Sequence, residues 1–252
     1  MKQSELSKIF DERWEEPWKL RNERGRALAK SGSRLVRLLS STPLPTEYGY
    51  WTYMVFGDYT TGEFHTAMVY GNAKKSIKKD DMLLRVHSSC ATSELFHATN
   101  CECREELEEA LKRVRKNGSG MVIYMNQEGA GNGIAPKIAA YSKVLVWKGD
   151  KVVEARDRQG EPVSIYEAYK MLGYKQENRS LLAAAEILKA LGIRSVRLMT
   201  NNPKKIEELR KYGIAVEPEG IHIKPKNKIV ENHLRAKARL LGHRISDRDL
   251  KG

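Results

Sequence analysis

The chain has 252 residues, 40% of them hydrophobic and 31% charged, with a formal net charge of +13. That composition suits a globular protein with enough apolar side chains for a core and excludes a disordered or fibrous chain. No run approaches the roughly 18 apolar residues of a membrane-spanning helix, and Met1-Lys2-Gln3-Ser4-Glu5 is not an apolar leader, so a cytoplasmic protein is expected.

Residues 1–44 read as a helical extension, with Trp14, Trp18, Leu20 and Leu28 scattered among charges. Thr42-Pro43-Leu44-Pro45 closes it, because paired prolines disfavour regular structure. A domain over 45–243 and a polar tail over 244–252 follow. Tyr50–Phe56, Phe64–Gly71 and Met82–His87 carry the β-formers of strands. Residues 102–117 read as an amphipathic helix, with Leu107, Leu111 and Val114 at helical spacing. Its acids crowd the start and its bases the end, as the helix dipole favours, and Asn117-Gly118 stops it. A buried strand, Met121–Met125, leads into the glycine-rich turn 128–133. A helix through Lys137–Tyr141 and a hairpin around Lys148-Gly149-Asp150 come next. Helices over 163–172 and 180–191, a strand Ser195–Met199, a helix capped by Asn202 with Pro203 at its first position, and a last helix over 231–241 complete the chain. Alternating strands and helices from residue 120 onward predict an α/β core, a mixed sheet flanked by helices.

Four groups of residues carry chemistry. All three cysteines, Cys90, Cys101 and Cys103, fall in one short segment, and an odd number in such a chain argues against a disulfide framework. Three thiolates hold Zn²⁺ with one tetrahedral corner left for water, which then ionises near neutral pH into a hydroxide nucleophile. A structural zinc needs a fourth ligand, for which His87 and His97 are in range along the chain. The turn Gln127-Glu128-Gly129 with Asn132-Gly133 lets backbone approach a ligand, without the spacing of a Rossmann or Walker loop. Thr200-Asn201-Asn202-Pro203-Lys204-Lys205 puts a hydroxyl, free N–H groups and two lysines at a helix N-terminus, which suits phosphate. Glu177-Asn178-Arg179 sets an acid and a guanidinium at a helix entrance, to pair with each other or to act on a substrate. The positive charge is spread along the chain and not gathered into a basic arm, which fits a small polyanionic ligand better than nucleic acid.

In this order, Arg85-Val86-His87-Ser88-Ser89-Cys90, Cys101-Glu102-Cys103, Gln127-Glu128-Gly129, Glu177-Asn178-Arg179 and Thr200 to Lys205 closely resemble the GTP cyclohydrolase II family. Glu231-Asn232-His233-Leu234, Lys237 and Gly242-His243 extend the match, which covers about 45–243. The resemblance implies zinc on the three cysteines, attack of hydroxide at C8 of a purine, opening of the imidazole ring and loss of formate. Arg179 matches a proposed nucleophile toward the α-phosphorus, with pyrophosphate leaving, and Glu177 a proton acceptor. Arg85, His87, Ser88, Ser89, Glu106, Glu128, Gly129, Ala130, Thr200 and Lys205 match nucleotide-contact positions. Mg²⁺ on the phosphates and a homodimer are likewise implied. A guanidinium stays protonated, so chemistry alone assigns Arg179 as a clamp for the transition state.

The chain departs from the family at Ser89 (usually Glu), Ala130 (usually Arg), Glu106 (usually Gln) and Glu177 (usually Asp), and it is longer near 145–163. Losing a cation at 130 and adding an anion at 106 weakens the hold on a triphosphate, and Ser89 removes a carboxylate able to read the N–H donors of a base. Three readings follow: a strict GTP cyclohydrolase II; a relative that opens the ring of another nucleotide, such as a uracil nucleotide, or stops at a formylated intermediate; and a non-catalytic zinc protein that binds nucleotide.

Overall fold

β1 (Val36–Thr46), β2 (Gly49–Asp58) and β3 (Phe64–Tyr70) form an antiparallel meander in the computed structural model, which describes residues 36–78 and 80–250. The expected helix up to residue 44 is therefore corrected: residues 36–44 belong to β1, and the rest of that extension lies outside the described residues. Prolines are tolerated in β1 because it is an edge strand, where a missing N–H costs no ladder bond. Pro43 faces Thr52 and Pro45 faces Tyr50.

β3 pairs antiparallel with β5 (Met121–Met125), beside which β4 (Met82–Ser88), β8 (Ser195–Met199) and β9 (Ala215–Glu219) run parallel. The result is a seven-stranded mixed sheet of order β1-β2-β3-β5-β4-β8-β9. The mixed α/β class expected from the sequence is the one observed. β9 was not foreseen; like β1 it is an edge strand and carries a proline, Pro218.

Side-chain alternation along β4 decides where the chemistry goes. Met82, Leu84 and Val86 enter the larger core, where they meet Ala184, Ile187 and Leu188 of α6 (Leu182–Ala190) and Ile206 and Leu209 of α7 (Pro203–Lys211). Leu83 points to the other face, against Ala110, Leu111 and Val114 of α3 (Cys103–Asn117). Arg85 and His87 share that second face, where the first turn of α3 supplies Glu106 to Arg85. Between these strands lie two short helices, α1 (Ala73–Ser76) and α2 (Ala91–Glu94).

Past β5, residues Gly129–Gly131 make a 3-10 turn that leads into α4 (Ile134–Val144). The expected hairpin is present as β6 (Leu145–Lys148) and β7 (Lys151–Glu154), a two-stranded sheet of its own. α5 (Ile165–Met171) starts with a capping box between Ser164 and Glu167. α8 (Lys228–Leu241) begins at the Asn227 cap and ends at Gly242, whose left-handed conformation (φ 71°) suits glycine. The expected polar tail is corrected in part. Residues Asp247–Leu250 form α9, and Leu250 packs with Val230 and Leu234 of α8 beside the partly buried Ile245, the two apolar side chains of this stretch.

Two buried contacts fix the loops at the carboxyl ends of the strands. Asp58 accepts from Thr60 N–H (2.8 Å) and Thr60 Oγ1 (2.6 Å) and lies 3.7 Å from His65 Nε2, while His65 Nδ1 accepts from the Asn126 N–H at 3.2 Å. Burial alone would raise the Asp58 pKa, but His65 and Thr60 outweigh it and hold it at about 2. The folded value is depressed, so the stabilisation is present above about pH 4 and is lost as pH falls through 2. An Asp58→Asn variant should lose this acid-dependent part of its stability, seen as a flatter urea midpoint between pH 5 and pH 2.

Gly131 (φ 81°) sits where an added Cβ would lie 2.7 Å from the carbonyl carbon and oxygen of Asn178. Gly131→Ala should therefore cost at least about 1 kcal/mol in chemical denaturation. It should also displace the 177–179 segment.

Candidate active site

The carboxyl ends of β4, β5 and β8 meet at one edge of the sheet, the usual place for a ligand in an open parallel sheet. Cys90 follows β4 directly and starts α2, and Cys101 and Cys103 open α3. Their sulfurs all lie within 4.8 Å of one another, and the Cys90 and Cys101 sulfurs are 3.8 Å apart. Metal–sulfur bonds of ~2.3 Å at tetrahedral corners separate two sulfurs by ~3.8 Å, so the donors fit a metal ion. Among the described residues no histidine or carboxylate joins this group. The two histidines expected as possible fourth ligands are accounted for otherwise: His87 Nε2 is bonded to Glu94 at 2.8 Å, and His97 is exposed. The neighbouring sulfurs of Cys101 and Cys103, then Lys137, push the Cys90 thiol well down against the effect of burial. Cys101, Cys90 and burial push the Cys103 thiol well up. Lys137, 3.1 Å from the Cys90 sulfur, favours the thiolate there.

Glu128 holds this cluster from the β5 side. Its carboxylate accepts from the Ala91 N–H (2.7 Å), from the Gly129 N–H (3.0 Å) and from Lys137 Nζ (2.7 Å). Lys137 Nζ also stands 3.1 Å from the Cys90 sulfur and 5.6 Å from the centre of the Tyr141 ring. Burial raises the Tyr141 phenol, with a further contribution from the Cys101 sulfur. Lys137 and Tyr141 lie on α4 one turn apart, a spacing visible in the sequence, though nothing in the sequence placed that face beside the cysteines.

On the α3 face the strand ends enclose a small cavity of about 60 Å³, lined by Arg85, His87, Ser88, Cys103, Glu106, Arg179, Thr200 and Lys205 among others. Arg85 donates to the Met199 carbonyl (3.0 Å) and pairs with Glu106. Arg179 Nε donates to Glu177 Oε1 (2.7 Å), and a second guanidinium nitrogen reaches Oε2 in a two-point fork. Burial, then Arg179 and Arg85, push the Lys205 ammonium well below its usual range, and its Nζ donates to the Val86 carbonyl at 2.9 Å. His243, from the chain after α8, is pushed down to about 3 by burial and then by Lys237, and its Nε2 is buried without a partner. His87 Nδ1 and the hydroxyls of Ser88 and Ser89 are likewise buried without partners. The surroundings are cationic, largely buried and furnished with unused donors and acceptors.

The sequence-expected residues thus gather in two groups around the sulfurs. Arg85, His87, Ser88, Glu106, Arg179, Thr200 and Lys205 border the basic cavity, with Glu177 behind Arg179. Glu128, Gly129 and Ala130 form the turn on the Lys137 side, where the Ala130 carbonyl accepts from the Asn178 N–H at 2.9 Å. Ser89 joins the two groups, its N–H bonded to the Met125 carbonyl at 2.9 Å. The lysines of the 200–205 segment diverge: Lys205 points inward and Lys204 is exposed, because adjacent positions on α7 face different sides. A second cavity of about 560 Å³ reaches Cys101 and Tyr141 from the other side, walled by the 154–165 segment and by α8. Sequence reasoning assigned no role to Lys137, Tyr141, His233, Lys237 or His243. The i,i+4 spacing of His233 and Lys237 was a signal that they share a helix face.

Comparison with known proteins agrees with this geometry. The sequence model of a family described as GTP cyclohydrolase II matches residues 36–219. A GTP cyclohydrolase-2 of Vibrio parahaemolyticus is 39% identical over 180 residues, covering 70% of this chain and 80% of that protein. One of Haemophilus influenzae is 35% identical over 211 residues, covering 83% and 89%. A riboflavin biosynthesis protein RibBA of Phocaeicola vulgatus is 36% identical over 203 residues, 80% of this chain but 46% of that protein, so this chain spans about half the length of its RibBA relatives. With the matched segment running from β1 through β9 and enclosing all three cysteines, the chain belongs to the GTP cyclohydrolase II family.

Proposed function

We propose that this chain is a zinc-dependent cyclohydrolase that opens the imidazole ring of GTP and releases formate and pyrophosphate. The observation that carries the reading is three converging sulfurs at the mouth of a buried cationic cavity. Cys90, Cys101 and Cys103 would hold the zinc, which would supply Lewis acidity and an activated water for the ring opening. Lys137 supports the Cys90 thiolate and Glu128 fixes Lys137, so one donor of the set is prepared for the metal. Arg85, Thr200, Lys205 and Arg179 bind the phosphate chain, with Arg179 as an electrostatic clamp on the α-phosphoryl group. His87, Ser88 and Ser89 offer unpartnered polar atoms to the nucleotide, and the Glu128-Gly129-Ala130 turn closes over it. Glu177, held below its usual range by Arg179 against the effect of burial, is ionised and able to accept a proton once substrate loosens the fork. Mg²⁺ as the counter-ion of the phosphates belongs to the same reading. So does a homodimer, for which the exposed apolar side chains of Leu95, Phe96, Ile134 and Ile138 are available. A cytoplasmic location belongs to this reading as well; among the described residues no helix is long and apolar enough to cross a membrane.

A second reading has its own support. Glu106 occupies the Arg85 guanidinium, and Ala130 offers no cation. Both features favour a nucleotide with fewer phosphates or a different base. Zinc-loaded protein incubated with GTP should yield formate and pyrophosphate in equal amounts, each measured by a separate coupled assay. Formate without pyrophosphate, or formate only from another nucleotide, selects the second reading. Cys101→Ser should lose bound metal and turnover together; full turnover in that variant would sink the zinc mechanism.

A further inference from the structure

Glu102 stands between two of the three sulfur ligands and at the N-cap position of α3, yet its side chain caps nothing there. It is 1% exposed and turns instead to α8. His233 Nδ1 lies 2.9 Å from Oε2, and Lys237 Nζ pairs with Oε1. Burial would raise the Glu102 pKa, but Lys237 and His233 outweigh it and hold the carboxyl well below its usual range.

Other contacts run the same way. Asn227, the cap of α8, donates from Nδ2 to the Thr99 carbonyl at 2.8 Å, and Lys226 pairs with Glu105. The start of α8 and its inward face therefore grip the 99–105 segment at four points. Lys237 also approaches Glu106 Oε1 at 3.9 Å, and Glu106 pairs with Arg85, which extends the chain of charges to the phosphate cavity. The helix is itself anchored from behind. Ala236 and Leu241 pack with Tyr166, Asn232 donates to Glu154 at 2.7 Å, and the Arg244 N–H donates to the Asn201 carbonyl at 2.8 Å. All of α8 lies beyond residues 36–219, the part matched by the family model.

We infer that α8 is a strap that holds Cys101 and Cys103 in metal-binding register, with Lys237, assisted by His233, acting through Glu102 as a positioning residue for the metal. The inference rests on the reading that the three sulfurs hold zinc. Removing Lys237 leaves a buried carboxylate short of its main partner, a costly state. That carboxylate is then free to turn back to the helix N-terminus where it would ordinarily cap. Either change moves the backbone between two ligands.

The test is zinc release from the full-length loaded protein to a chromogenic chelator, read without substrate. Lys237→Met should release zinc roughly 10–100-fold faster than wild type, the range typical of groups that orient metal ligands from behind. Its cobalt-substituted form should show weakened or shifted bands of tetrahedral sulfur coordination. Lys237→Arg, which can fork to the same carboxylate, should stay close to wild type. Combining Lys237→Met with Glu102→Gln should restore part of the loss, since no charge is then stranded. Arg235→Ala, on the solvent face of α8, should change nothing. Should Lys237→Met fail to fold, Lys237→Gln takes its place in the comparison. Faster release in the folded variant supports the strap whether or not any nucleotide yields formate. Wild-type release and unchanged cobalt bands in a folded Lys237→Met protein overturn the strap alone, and a wild-type chain that takes up no metal overturns both readings.

Discussion

Sulfur donors packed within 4.8 Å of one another in a largely buried place cannot all be anionic without a cation among them. The arrangement around them follows from that constraint. Lys137 supplies one positive charge next to Cys90, Glu128 balances and aims it, and Tyr141 closes the space behind. The remaining charge deficit is what a divalent metal satisfies. These side chains come from separate parts of the chain, so the site exists only when β4, β5, α3 and α4 are assembled. Buried groups such as His65 and Asp58, remote from the sulfurs, contribute by holding the Asn126 end of the turn that carries Glu128.

The basic cavity beside the sulfurs obeys a related rule. Four cations, Arg85, Arg179, Lys205 and Lys237, border one small space, and three of them are paired with Glu106, Glu177 and Glu102. Lys205 alone has only a carbonyl as its hydrogen-bond partner, and repulsion from the two guanidinium groups adds to burial in lowering its affinity for a proton. An anion entering here exchanges carboxylate partners for phosphate oxygens and relieves that repulsion. The carboxylates thus keep the empty cavity tolerable and compete with the ligand. Glu106 must release Arg85 before a phosphate oxygen can take its place, so the reading with fewer phosphates has a physical basis.

The larger cavity, on the far side of Cys101, is walled by two parts of the chain. The segment after the β6–β7 hairpin supplies Glu154, Glu161 and Val163, and α8 supplies the opposite wall. Its volume of about 560 Å³ falls within the range of small-molecule sites.

The sequence alone determined the donor set, the family and the class of fold. Clustered cysteines, period-two strands and the capped helix after Thr200-Asn201-Asn202 are local patterns, and local patterns survive without three-dimensional information. It misjudged residues 36–44, because proline reads as a breaker unless the strand is known to be an edge, and edge position is a property of the whole sheet. Local chemistry did not separate Lys204 from Lys205, although the resemblance pointed to Lys205, and packing of α7 on the sheet sent Lys205 inward and left Lys204 to solvent. Lys137 and Tyr141 on α4 and Lys237 on α8 lie far along the chain from the cysteines and reach Cys90 and Glu102 through two separate helices. Which faces of those helices meet Cys90 and Glu102 is set by the burial of apolar residues on their other sides, a sum over long-range contacts that no short stretch of sequence contains.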